Sequence, residues 1–283
     1  MTRLLASLAI LLLLGCTPAV APAPTPAAQA PTPVAAPAPE RDYLLVGIGD
    51  SVTRGFGSSP GNSYFEQLEA ELKPRLPGLG SLNVSVNGST SPQHLERQVP
   101  AIPTQTPEVY GLVVVTTGGN DLIKNYGRTP PRPDAMYGAT LKQARPWLDT
   151  FQPRLNRMLD AVEERFPGGC SIFLANIYDP TDGVGDIQNA GLGLPPWPDG
   201  LEFLKVYNQA IREVADERDE VELVDLHSTF MGHGIHHRDD YWYYDNLEDP
   251  NDAGYAAITK LFMAEMERTV LAAAGGPSKA GRQ

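Results

Sequence analysis

The sequence predicts an α/β fold, a three-layer α/β/α sandwich in which a five-stranded, mainly parallel sheet lies between two layers of helices. Three observations carry that expectation. Short apolar runs of strand length recur along the chain, stretches with apolar residues at helical spacing separate them, and 283 residues at 42% hydrophobic suffice for one sizeable core. The strands read as 43–48, 82–86, 109–116, 171–177 and 221–226. Leu155, Met158, Leu159, Val162 and Phe166 share one helical face, as do Leu201, Leu204, Tyr207, Ile211 and Val214, and then Ile258, Leu261, Phe262 and Met266. In such a sheet ligands bind at the carboxyl ends of the strands, so chemistry is expected in the turn after each one. Two segments rich in proline and glycine, 125–147 and 178–200, read as ordered loops over that edge. No internal repeat is present, and 275–283 reads as a disordered tail after a domain spanning 42–274.

The amino terminus is organised differently. Arg3 is followed by an eleven-residue apolar run, Leu4 to Leu14, too short for the roughly 20 residues that span a bilayer. The run ends in Leu13-Leu14-Gly15-Cys16, which resembles a bacterial lipoprotein signal: residues 1–15 would be removed and Cys16 acylated. An ordinary signal peptide with a chance cysteine is the alternative. More than one acyl chain on Cys16 would make membrane anchoring stable. Residues 16–41 read as a linker, because eight prolines among largely alanine between Thr17 and Glu40 leave no apolar periodicity. Extended at about 3.1 Å per residue, it would reach roughly 75 Å from the headgroups. Export to the cell envelope is the expectation.

Charge and cysteine usage narrow the function. A net charge of −12 disfavours nucleic acid as a partner. Cys16 and Cys170 lie far apart, which supports neither a disulfide framework nor a thiolate metal site. Cys170 reads as an inert buried thiol.

The first strand leads into Gly47-Ile48-Gly49-Asp50-Ser51-Val52-Thr53-Arg54-Gly55. A dinucleotide fingerprint fails here, since Val52 stands at the third glycine and Asp50 would face the pyrophosphate. The Gly-x-Ser-x-Gly elbow of α/β-hydrolases is absent from the sequence. What remains is Ser51 at a strand-to-helix turn, a nucleophile or simply a helix cap. The second strand leads into Asn87-Gly88-Ser89-Thr90-Ser91, and the third into Thr117-Gly118-Gly119-Asn120-Asp121.

These three blocks, in this order and at strand ends, resemble the serine, glycine and asparagine blocks of the SGNH (GDSL-type) hydrolases over about residues 42–272. The resemblance implies a flavodoxin-like fold and a serine esterase that needs no metal or organic cofactor. It implies Ser51 as nucleophile, and the Ser51 amide, the Gly88 amide and the Asn120 side chain as oxyanion donors.

The fourth block departs from the family pattern. Where the family has Asp-x-x-His-Pro-Asn, this chain reads Asp245-Asn246-Leu247-Glu248-Asp249-Pro250-Asn251, with Asp249 at the histidine position and Asn246 at the aspartate position. An exposed aspartate with a pKa near 4 is a poor base for a serine hydroxyl. Either another histidine serves, or the protein is inactive; only if the loop histidines prove dispensable does the base fall to Asp249 in a strongly perturbed environment or to another residue. The five histidines are His94, His227, His233, His236 and His237. The first two read as structural. The Gly232-to-His237 loop lies between the fifth strand and the last helix, so His233, flanked by glycines, is expected to reach Ser51, with Asp249 orienting or charging its ring. A metal held by His233, His236 and His237 with Asp239 and Asp240 is the rival reading, without a defined ligand frame. Tyr241-Trp242-Tyr243-Tyr244 and Trp197 would line a pocket or pack the core.

The expectation is therefore a lipid-anchored serine esterase that cleaves carboxylic ester or O-acyl groups of small-molecule or glycan substrates. The alternative is a catalytically silent surface lipoprotein that binds glycans or envelope components through the same pocket.

Overall fold

Strand order is what places the site. In the computed structural model, which describes residues 41–272, five parallel strands run β2-β1-β3-β4-β5. The elements in chain order are β1 (Asp42–Ile48), α1 (Ser51–Arg54), α2 (Tyr64–Leu72), β2 (Gly80–Asn83), α3 (Ser91–Gln93), β3 (Val109–Thr116), α4 (Gly119–Ile123), α5 (Leu141–Leu148), α6 (Phe151–Glu163), β4 (Cys170–Ala175), α7 (Gly200–Asp216), β5 (Val221–Val224), α8 (Leu226–Phe230) and α9 (Asp252–Met266). The order reverses between β1 and β3, and the crevice outside such a reversal is where open α/β sheets bind ligands. The turns carrying Ser51 and Asn120 leave the sheet on either side of that point.

A parallel sheet must be covered on both faces, and β3 shows how the sequence achieves it. Val113 and Val115 pack on the side of α6 and α7, with Leu155, Leu159, Phe203 and Ile211; Leu112 and Val114 pack on the side of α2 and α9, with Phe65, Leu68, Ile258 and Phe262. All four strand residues are fully buried, each worth about 1.5–3 kcal/mol of transfer free energy. Aromatic pairs lock the layers: Tyr64 stacks on Phe262 at 5.0 Å and Phe151 on Tyr207 at 3.9 Å.

Strand β2 ends earlier than its apolar pattern suggests. The Asn83 side chain donates to the Thr53 carbonyl at 3.0 Å and accepts from the Ser85 amide at 3.1 Å, which bends the chain out of the ladder. The segment 125–147 is not wholly loop: Thr140 caps the Gln143 amide at 3.3 Å and starts α5, which runs through Pro146. The signal peptide 1–15, Cys16, nearly all of the 16–41 linker and the 275–283 tail lie outside the described residues.

Candidate active site

Ser51 opens the single turn of α1. Asp50 caps that turn, its Oδ1 accepting from the Val52 amide at 3.1 Å, and Gly55 closes it in the left-handed region. Gly49 could be no other residue: a Cβ there would lie 2.4 Å from Thr116 Oγ1 and 2.5 Å from Thr53 Oγ1. Those two hydroxyls bond each other at 2.8 Å, and Thr53 also meets Tyr64 Oη at 2.6 Å, so α1 is pinned to β3 and α2.

The backbone of Gly49 is gripped by side chains. Gln98 Oε1 accepts its amide at 2.9 Å while Gln98 Nε2 donates to its carbonyl at 2.8 Å and to Ser89 Oγ at 2.9 Å. Ser89 Oγ in turn donates to the same carbonyl at 2.9 Å and meets His94 Nε2 at 2.9 Å, and His94 Nδ1 meets Thr117 Oγ1 at 2.8 Å. Burial holds His94 down to about 3, so the ring is neutral. The network ties Gly88, next to Ser89 and held at φ +69°, to the Ser51 turn.

Asn120 lies in the first turn of α4, after Gly118 at φ +93°, where a Cβ would meet the Tyr207 ring at 2.8 Å. Its Nδ2 donates to Asp50 Oδ2 at 3.2 Å. Beside it, the buried Asp121 accepts from the Ser91 amide at 2.8 Å and from Arg154 Nη2 at 3.3 Å, joining the second and third blocks.

Asp249, not a histidine, stands beside Ser51. It is 2% exposed, and burial raises its carboxyl above the usual range, with the neighbouring Ser51 hydroxyl and Asn246 amide offsetting part of that rise. Asn246 Nδ2 donates to Asp249 Oδ2 at 2.7 Å, and Asn246 Oδ1 accepts the Asp249 amide at 3.2 Å. Asp249 Oδ1 makes no hydrogen bond of good geometry and is buried. Asp245, one residue out of register, is exposed.

The loop histidines are engaged elsewhere, which corrects the expectation for His233. Its ring stacks on Trp242 at 3.4 Å, and its Nδ1 lies 3.0 Å from the Asp240 carbonyl. His236 pairs with Asp186 at 2.9 Å and His237 with Asp182 at 3.1 Å. Asp182 also accepts from the amides of Gly232 at 3.0 Å and Gly234 at 2.9 Å, so the loop is bound to the 178–200 segment and kept from Ser51. Asp249 therefore orients no imidazole. The three rings face different carboxylates, and among the described residues no group of three or more His, Cys, Asp or Glu converges as a metal site. Of the aromatic run, Tyr243 is core and none lines the cavity.

A cavity of about 460 Å³ opens beside Asp50, Ser51 and Asn120. Its walls come from both proline-rich segments, Tyr126 and Tyr137 from the first and Ile187, Leu192, Leu194 and Trp197 from the second. Trp197 serves two ends: its Nε1 donates to the Ala139 carbonyl at 2.8 Å, joining the segments, and its ring forms wall. The sequence reading passed over two members of the site. Asp50 counted only against a dinucleotide, and Asn246 only as a departure from pattern, although its three-residue spacing from Asp249 was the available signal.

Residues 48–257 match the family described as GDSL-like Lipase/Acylhydrolase. A multidomain esterase of Ruminococcus flavefaciens is 24% identical over 255 residues, 83% of this chain, and the chain spans about 30% of that protein's length. Among solved structures, an extracellular lipase of Streptomyces rimosus is 18% identical with a TM-score of 0.54, covering 80% of this chain and 99% of its own. A catalytic mutant of an acetylxylan esterase from Geobacillus stearothermophilus is 16% identical with a TM-score of 0.52, covering 80% and 94%. At these identities the structural likeness is one of fold.

Proposed function

The chain belongs to the GDSL-like lipase/acylhydrolase family, and from that premise we propose that it hydrolyses carboxylic esters through an acyl-enzyme on Ser51, with an aspartate as base. The observation that carries this reading is the Asn246–Asp249 pair. An imidazole base has a ring N–H behind it and needs an acceptor such as aspartate; a carboxylate base has only acceptor oxygens and needs a donor. Here both positions change together, and the 2.7 Å bond runs from the asparagine amide to the aspartate oxygen. Burial makes Asp249 a stronger base than an exposed aspartate.

Ser51 Oγ attacks the ester carbonyl carbon and its proton passes to Asp249, while the carbonyl electron pair moves to oxygen. That oxyanion is met by the Ser51 and Gly88 amides and by Asn120 Nδ2, donors typically worth about 3 kcal/mol each. Collapse expels the alcohol with the proton from Asp249, and water repeats the sequence on the acyl-enzyme. The apolar walls of the cavity suit a hydrocarbon acyl group. We place the enzyme at the cell envelope on the strength of the leader and Cys16, a reading tested by lipid labelling of wild type against Cys16→Ser.

The test of the activity is covalent labelling by a fluorophosphonate together with turnover of p-nitrophenyl esters. Wild type is expected to react and Ser51→Ala to do neither while remaining folded. Turnover by Ser51→Ala would remove the nucleophile; no reaction by wild type would favour the silent glycan-binding alternative.

A further inference from the structure

The carboxyl group of Asp50 is 5% exposed and lines the cavity next to Ser51. Its oxygens accept from the Val52 amide at 3.1 Å, Thr116 Oγ1 at 3.4 Å and Asn120 Nδ2 at 3.2 Å. No lysine, arginine or histidine among the described residues forms an ion pair with it or with Asp249. Two buried carboxyls thus flank Ser51 without an ion-pair partner, and ionising both at once is costly. Asp249 faces Ser51 and holds a donor from Asn246, so it is the partner placed to exchange a proton with the serine. Asp50 is the partner that touches the oxyanion donor.

Resting on the esterase reading above, we propose that Asp50 and Asp249 hold one proton between them, with Asp50 kept as a neutral acid so that no negative charge lies behind Asn120 when the oxyanion forms. Asp249 takes the Ser51 proton and returns it to the leaving alcohol; Asp50 keeps its own throughout. Ionised, Asp50 would oppose the developing oxyanion across one amide and would hold that amide more tightly in the ground state. Asp50 is then a positioning residue, acting through Asn120.

The electrostatics agree with this division. Burial, with the Asp249 charge adding to it, lifts the Asp50 carboxyl from 3.8 to about 7 against the opposing bond from Val52. The titratable and charged groups around the pair are Tyr64 on α2, Tyr255 on α9, and Tyr126, Arg128, Tyr178 and Glu248 at the cavity; burial raises the phenols and Glu248, so the phenols add no charge at neutral pH.

The consequence is an alkaline limb with an unusual cause. Rates of fluorophosphonate labelling and of ester turnover are expected to fall above neutral pH, approaching tenfold per unit, as Asp50 ionises. Asp50→Asn, which is neutral at every pH and can still accept from Asn120, is expected to lose that limb while keeping the acid limb set by Asp249. A variant that is merely misfolded or mispositioned would lose rate at all pH values without moving the limb. Infrared difference spectra supply a readout free of activity: at pH 6 a protonated-carboxyl band should be present in wild type and missing in Asp50→Asn. An alkaline limb unchanged in Asp50→Asn, or no such band in wild type, overturns the proposal. Should wild type fail to react with any ester or probe, the esterase reading falls while the infrared titration still decides whether Asp50 holds a proton.

Discussion

Asn120 donates to the carboxyl of Asp50 at 3.2 Å, so the side chain that would stabilise an oxyanion is already aimed by the residue preceding Ser51. One N–H of the amide is used in this way, and the other remains for substrate. Because that second bond matters most in the transition state, Asn120→Ala should lower kcat by roughly a hundredfold with little change in KM, measured on p-nitrophenyl butyrate. Equal losses in both would mean that Asn120 shapes the pocket.

The inverted pair of the fourth block invites a swap. Asn246→Asp alone sets a second acceptor against the buried Asp249 and should cost roughly a hundredfold in kcat. Asp249→His alone leaves the ring facing a neutral amide in place of a carboxylate acceptor and should be similarly poor, whereas the double variant restores the family's donor order and should recover at least tenfold over either single change. His233→Ala, in the same assay, should stay within about twofold of wild type, since its ring is held by Trp242 and Asp240. A large loss there would return the base to the loop.

The fold was legible because its signals are local and repeated. β3 matches its apolar run end to end, and α7 and α9 follow their helical spacing, because burial on a fixed face imposes a period. Ser51 and Asn120 come together because each follows a strand at the switch point, a consequence of order alone. The fate of His233 was not legible. It depends on Asp182, some 50 residues away, collecting the amides of Gly232 and Gly234, and no period in the chain encodes a carboxylate meeting a distant loop. The setting of Asp249 was not legible for a related reason: burial is the largest influence on its carboxyl, and the sequence around it does not display burial.

Asp50 and His94 pull stability in opposite directions with pH. Asp50 rises from 3.8 to about 7 on folding, so its contribution is full below about 4 and lost as pH climbs to 7. His94 falls from 6.5 to about 3, so its contribution is full above about 6.5 and lost as pH drops. Each spans on the order of 4 kcal/mol. Urea denaturation between about pH 4 and 6.5 should therefore show Asp50→Asn gaining on wild type as pH rises, and His94→Gln losing ground over the same range. Parallel curves for all three proteins would contradict both assignments.

Leu192 forms wall of the cavity and is 39% exposed, so enlarging it narrows the space without disturbing the core. Leu192→Trp should reduce kcat/KM for p-nitrophenyl octanoate by roughly tenfold relative to the acetate. An unaltered ratio would place the acyl chain elsewhere.

Gln98 gives Gly49 its amide partner across 49 residues of chain and joins the Val86 amide and Ser89 Oγ on its carbonyl. A main-chain N–H whose acceptor is a distant side chain exchanges with solvent whenever that side chain departs. Opening of the Ser51 turn is therefore expected to follow undocking of the helical segment His94–Gln98 rather than the fraying of a four-residue helix.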